Sequence, residues 1–156
     1  MSVFGKDEAA ISKFAAGMPL PEFDVTSFNP PVALNRAKIA IVTTAALHRL
    51  DRDGFELGDS DAHFETLPRN ARDLAIGHHS VNFDRGGFAA DINVVYPIDR
   101  LEEMCETKII GDVADKHYAF AGNQSDTVSE IRLDSGPLCA KAMLDEGVDV
   151  VLLTGT

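Results

Sequence analysis

The sequence predicts an α/β fold with a mainly parallel sheet and flanking helices, incomplete at its C-terminus. Three observations carry this expectation. The run AKIAIVTTAAL, from Ala37, is nearly continuous in β-branched and apolar residues, the pattern of a strand buried on both faces. INVVYP, residues 92–97, is a second such run, and its proline stands where a helix would begin. Finally, SGPLCAKAMLDEG leads directly into VDVVLLT, so strands and helices alternate as in a parallel α/β domain.

The elements follow in order. Residues 1–36 contain Pro19, Pro21, Pro30 and Pro31 without sustained periodicity and read as an N-terminal arm; residues 37–156 read as the α/β domain. The first central strand starts at Ala37. Residues 54–61 are turn-rich, and Pro68 then opens PRNARDLAIG, a short run of helix formers closed by Gly77. After the strand at 92–97, Asp99, Glu102 and Glu103 suit the positive end of a helix. Ile98, Leu101 and Cys105 recur at helical spacing, and the helix stops near Gly111. HYAFAG, residues 117–122, is a third strand. Ser135 caps the last helix, Pro137 starts it, Leu138, Ala142 and Met143 share a face, and Gly147 supplies a left-handed end. A closing strand with no helix after it leaves apolar surface, so completion by a partner or by further chain is expected.

Composition narrows the function. The 156 residues are 45% hydrophobic and 25% charged, with a formal net charge of −11. That sign argues against binding nucleic acid or an anionic membrane surface. No apolar run approaches the roughly 20 residues that cross a bilayer. The opening MSVFGKDEAAISKF carries acids and lacks a secretory pattern. Two cysteines cannot build a disulfide framework, which fits a reducing cytoplasm.

The common nucleotide and serine-hydrolase motifs are absent, and Gly86-Gly87 reads as a flexible turn. Adjacent His78 and His79 point apart, which disfavours a zinc site; a divalent metal on His78 or His79 with Asp59 and Asp61 stays open. His48 follows the first strand, and Asp91 and Asn93 flank the second. Strand ends are where α/β enzymes place acids, bases and orienting groups, although loop solvation and turn chemistry compete as explanations. Cys105 and Cys139 sit at apolar helix positions and read as core.

Six segments extend the reading: IVTTAALH (41–48), GDSDAHFETLP (58–68), HHSVNFD (78–84), DINVVYPIDRLEEM (91–104), IIGDVADKHYAFAG (109–122) and GVDVVLLTGT (147–156). In this order they resemble the selenoprotein B family of glycine, sarcosine, betaine and D-proline reductases, and the short D-proline-reductase type in particular. The resemblance implies a selenocysteine, or a cysteine, immediately after Thr156, ionised near a helix N-terminus. It implies attack on a substrate held as an imine on a pyruvoyl group of a partner subunit. Cleavage of the carbon–nitrogen bond then gives 5-aminovalerate from D-proline, and a dithiol or electron-donor protein reduces the adduct. No cofactor is expected in this chain itself. His48, Asp59, His79, Asp91 and Asn93 match the family's motifs as substrate-binding or supporting positions, and Thr154 and Gly155 precede the expected nucleophile. The codon after Thr156 is then expected to be UGA. Two other readings compete: a non-catalytic subunit that completes its sheet with another chain, and a metal-assisted enzyme using His78, His79, Asp59 and Asp61.

Overall fold

In a computed structural model of the chain, the apolar run that begins at Ala37 forms the strand around which the sheet is built, β1 (Lys38–Thr43). The structure describes residues 29–56, 61–77, 86–122, 124 and 130–155, with scattered positions between 9 and 17. The chain divides into units of residues 1–31 and 32–156. The N-terminal arm read from the sequence falls largely outside the described residues.

Ile39, Ala40, Ile41 and Thr43 of β1 are all buried. Along one edge β1 pairs in parallel with β7 (Val150–Thr154), from Ile39 opposite Val150 to Thr43 opposite Thr154. Along the other it pairs in parallel with β5 (Asp112–Val113) and then β6 (Lys116–Phe120). The next strand out, β3 (Phe64–Pro68), runs antiparallel to β6. A separate antiparallel pair joins β2 (Leu47–Arg49) to β4 (Leu74–Ile76). The architecture is therefore α/β, and the mainly parallel sheet expected from sequence is a mixed one.

Three helices are described: α1 (Gly86–Ala90), α2 (Ile98–Glu106) and α3 (Gly136–Asp145). Alternation along the strands sends Ile39 and Ile41 to one core, shared with Ile98 and Leu101 of α2. Val42, Tyr118 and Phe120 go to a second core with Cys139 and Met143 of α3. The sheet is thus covered on both faces, as its near-continuous apolar strands require. β7 is less covered: Val151 and Leu152 are each 37% exposed and Leu153 is 74% exposed. No helix among the described residues is long and apolar enough to cross a membrane.

Gly86-Gly87, read from the sequence as a flexible turn, instead opens α1, and three longer readings are corrected as well. Residues 68–77 are not a helix: Ala71 N–H donates to the Pro68 carbonyl (2.9 Å) in a turn, and the chain returns as β4. Pairing with β2 overrides the helix propensity of that run. Residues 92–97 are not a strand. Asp91 accepts from the Asn93 N–H and nucleates a 3-10 turn over Ile92–Val94, because short polar side chains divert the backbone from the sheet. Ser135 makes no side-chain cap; a π-helical turn, Ile131–Ser135, runs straight into α3. Gly147 does take the left-handed position after α3, with φ of 76°.

One joint lies inside the sheet. Between β5 and β6 the edge is interrupted, so the Ile41 N–H of β1 faces no carbonyl there. It donates instead to Nδ1 of His117 (3.0 Å), a fully buried ring. Accepting at Nδ1 places the proton of the neutral ring on Nε2. Burial, with the Arg69 charge as a smaller cause and Glu102 opposing, lowers the His117 pKa from 6.5 to about 4.

Unfolding must therefore take up a proton as the pH falls below 6.5. The contribution of His117 is complete above pH 6.5 and is lost as the pH falls through about 4. The loss amounts to ~3 kcal/mol. His117→Asn keeps an acceptor near Nδ1 but does not titrate. Urea unfolding at pH 7 and pH 4 should show the wild type losing ~3 kcal/mol more than the variant; parallel losses would contradict the assignment.

Candidate functional site

The parallel strands β1, β6 and β7 end together, at Thr43, Phe120 and Thr154. In open α/β sheets the loops beyond such ends form the ligand crevice. Here the backbone ties them closely. Thr44 N–H donates to the Thr154 carbonyl (3.0 Å), and Ala46 N–H to the Phe120 carbonyl (2.9 Å). The Thr154 hydroxyl donates to the Val95 carbonyl (2.7 Å), joining the end of β7 to the turn before α2. Gly155 follows, exposed.

Ala46 turns the chain from β1 into β2 with φ of 51°, a left-handed conformation that costs a residue with a Cβ about 1–2 kcal/mol. Its carbonyl then serves two donors, the Gly77 N–H (2.9 Å) and Nδ1 of His48 (3.1 Å). Donation from Nδ1 leaves the Nε2 lone pair of His48 as the acceptor. The ring lies against glycines, since a Cβ on Gly54 would stand 2.7 Å from both Cε1 and Nε2. Phe55 meets it edge-on, with centroids 6.3 Å apart.

Phe55 also stacks on His63, at 4.5 Å and 18° between planes. His63 Nδ1 makes a short hydrogen bond to the carboxylate of Asp61, a side chain only 7% exposed. The same carboxylate accepts from the Glu56 N–H (2.6 Å) and the His63 N–H (3.2 Å). Burial works against its charge, yet the Glu56 and His63 hydrogen bonds hold Asp61 below the usual carboxylate range. Gln124 Nε2 ties the segment to the end of β6, donating to the carbonyls of Asp61 (2.7 Å) and Ala121 (2.9 Å).

Asp91 and Asn93 form a different device. Asn93 Nδ2 donates to Asp91 (2.8 Å) and to Asp99 (3.0 Å), and Asn93 Oδ1 accepts the Asp99 N–H (3.1 Å) in the first turn of α2. Hydrogen bonds from Asn93 hold Asp91 below its ordinary pKa. Arg72 adds an ion pair to Asp99 at 3.3 Å. Beside it, Arg69 grips Glu102 with two bonds of 2.6 Å and also reaches Asp112 and the Val113 carbonyl. Its bond to Arg69 lowers the pKa of Glu102 and fixes α2 to the β3–β4 turn.

Neither cysteine is poised as a nucleophile. Cys139 is buried, and burial pushes its thiol up to about 11. Cys105 is half-buried, with Sγ 3.8 Å from the Gly111 carbonyl. Cys139 borders an apolar cleft of about 590 Å3 between α3 and the sheet, with Thr44 and Gln124 at its rim. Among the described residues no group of three or more His, Cys, Asp or Glu side chains is arranged to hold a metal ion.

Of the residues singled out from sequence, His48, Thr154 and Gly155 lie at the carboxyl end of the sheet, and Asp91 and Asn93 at the start of α2. Asp59, His78 and His79 lie outside the described residues. Asp61, named only as a metal candidate, is the partner of His63. The sequence reading passed over His63 and His117, although both stand in quoted segments, DAHFETLP and DKHYAFAG; the two-residue spacing of Asp61 and His63 just before a strand was the available signal.

The family model described as glycine/sarcosine/betaine reductase selenoprotein B matches residues 8–156. The chain is 31% identical over 118 residues to D-proline reductase subunit gamma of Acetoanaerobium sticklandii, covering 74% of this chain and 47% of that one. It is 30% identical over 143 residues to glycine reductase complex component B subunit gamma of Symbiobacterium thermophilum, covering 88% and 33%. With sarcosine reductase complex component B subunit beta of Peptoclostridium acidaminophilum the identity is 26% over 149 residues, covering 92% and 34%. The chain thus spans between a third and a half of the length of these curated relatives. No solved structure matches it.

Two substitutions probe the geometry. Gly54→Ala drives a methyl into the His48 ring and should cost about 1–3 kcal/mol; a thermal melt and the His48 ring resonances report it, and an unchanged pair would refute the packing. Asn93→Ala removes the Asp99 N–H acceptor and should cost about 1–2 kcal/mol. Hydrogen exchange should localise that loss to the first turn of α2, and uniform loosening would argue against a capping role.

Proposed function

The chain belongs to the glycine/sarcosine/betaine reductase selenoprotein B family, and from that premise we propose that it is part of a selenol- or thiol-dependent reductase cleaving a carbon–nitrogen bond of an amino acid. The favoured reaction is D-proline to 5-aminovalerate. The observation that carries this reading is the family match across residues 8–156.

The chemistry assigned to the chain is positional. The end of β7, held to Thr44 and to Val95, sets where the backbone of Thr154 and Gly155 emerges. A nucleophile carried just past such a strand end stands in the ligand crevice. His48, its Nε2 left as an acceptor, is read as a substrate-orienting group, whereas Asp91 and Asn93 act through α2. Neither Cys105 nor Cys139 fits the nucleophile's part, so the selenol or thiol of this reading is a different residue. A pyruvoyl group on a partner subunit would supply a carbonyl that withdraws electrons from the substrate nitrogen; no described residue is assigned to hold it. A dithiol or electron-donor protein of a cytoplasmic complex completes the cycle.

The test is the complex containing the full-length chain, supplied with D-proline and dithiothreitol. It should release 5-aminovalerate, alkylation of the reduced protein should abolish the activity, and the Cys105→Ser, Cys139→Ala pair should stay within about threefold of wild type. Lost turnover in a folded double variant would move the nucleophile onto one of these cysteines. No product from D-proline, glycine, sarcosine or betaine would overturn the reading.

A further inference from the structure

We propose that His63, oriented by Asp61, is the proton donor to the nitrogen that leaves when the carbon–nitrogen bond is cleaved. The step rests on the reductase reading above and adds to it a catalytic residue and a positioning residue.

The argument begins with the carboxylate. Asp61 is nearly buried, and its two oxygens are committed to the Glu56 N–H, the His63 N–H and the His63 ring. A side chain so saturated fixes its partner's tautomer. With Nδ1–H directed at the carboxylate, Nε2 becomes the atom that exchanges protons. Phe55, 8% exposed and stacked at 4.5 Å, sets the plane of the ring. Among the described residues Glu65 also faces His63, its Oε1 3.6 Å from Nε2 and within ion-pair distance when the ring is protonated. His48 lies across Phe55 and meets that ring edge-on. The imidazole side chain is 43% exposed.

Topology supplies the second line of argument. β3 runs antiparallel to β6 with Phe64 opposite Phe120, so its first residues lie at the carboxyl end of β6. Ala121 there bridges Ala45, and Thr44 is bonded to Thr154. The dyad and the end of β7 therefore occupy the same rim of the sheet, about three strand spacings of ~4.8 Å apart.

The step balances. The selenolate or thiolate of the proposed reaction forms a bond to the α-carbon, the carbon–nitrogen bond breaks, and its electron pair passes to nitrogen. The imidazolium of His63 transfers its Nε2 proton to that pair. The products are a selenide or thioether adduct, the leaving nitrogen with one proton more and its charge unchanged from the bound substrate, and neutral His63.

The experiment uses the complex containing the full-length chain. His63→Gln should lower kcat by about 100–1,000-fold with little change in KM. His63→Gly should be inactive alone and regain activity with added imidazole, a rescue that a purely structural role does not permit. Asp61→Asn should cost less, and 15N NMR of the chain should show neutral His63 shifting from the Nδ1–H tautomer toward Nε2–H. Activity in His63→Gln within threefold of wild type, failure of imidazole to rescue His63→Gly, or an Nε2–H tautomer in the wild type would each overturn the proposal. A wild-type complex that cleaves no amino acid substrate defeats the reductase reading itself, and this step falls with it.

Discussion

Every parallel pairing in the sheet is made to one strand, Lys38–Thr43, and that strand has a gap on one edge that a side chain must fill. β7 covers five consecutive residues of it, while β5 and β6 divide the opposite edge and leave the Ile41 N–H between them. A buried, unpaired backbone donor costs about 1–3 kcal/mol. His117 accepts that donor by presenting Nδ1 at 3.0 Å, which leaves its own buried Nε2 without a hydrogen-bond partner, and it is committed thereby to a neutral, buried state. The T-shaped contact with Tyr96 at 5.6 Å ties the same ring to the segment that enters α2. One imidazole thus links the central strand, its interrupted edge and the helix that covers one face.

The carboxyl end of the sheet inherits this order. Hydrogen bonds of 2.7–3.0 Å join Thr44 to Thr154, Ala46 to Phe120 and Thr154 to the Val95 carbonyl, so the loops there are extensions of the strands. Ala46 accepts a strained backbone angle, and its carbonyl anchors both Gly77 and His48. Strain of this kind persists where surroundings over-determine it. Asp61 plays the equivalent part for His63. Two histidines in contact with Phe55, one edge-on and one stacked, each held at Nδ1 by an oxygen, therefore share one rim of the sheet.

The legible parts of the sequence were those in which one physical signal dominated. The apolar continuity of 38–43 and 150–154 gave strands, and Pro97 with Ile98 and Leu101 gave α2. Gly147 gave the end of α3. Residues 92–97 misled because Ile92, Val94 and Val95 favour strands in isolation, whereas the Asp91–Asn93 bond acts at short range and wins. Residues 68–77 misled in the opposite sense, since their helix formers yield to pairing with β2. Of the candidate site, His48, Asp91, Asn93, Thr154 and Gly155 were singled out in the sequence from strand ends and family segments. The roles of His63 and His117 depend on contacts with residues such as Phe55 and Ile41, and no spacing rule encodes those.

In the proposed reaction the reactive selenol or thiol works at the rim of the sheet formed by the ends of β1, β6 and β7. The most direct measurement is a structure of the complex containing the full-length chain, with its reduced nucleophile carboxymethylated by iodoacetate. The adduct should lie beyond Thr154, on the rim that carries His48 and His63. An adduct on Cys139 inside the cleft under α3, or on Cys105 at the far end of α2, would contradict the account.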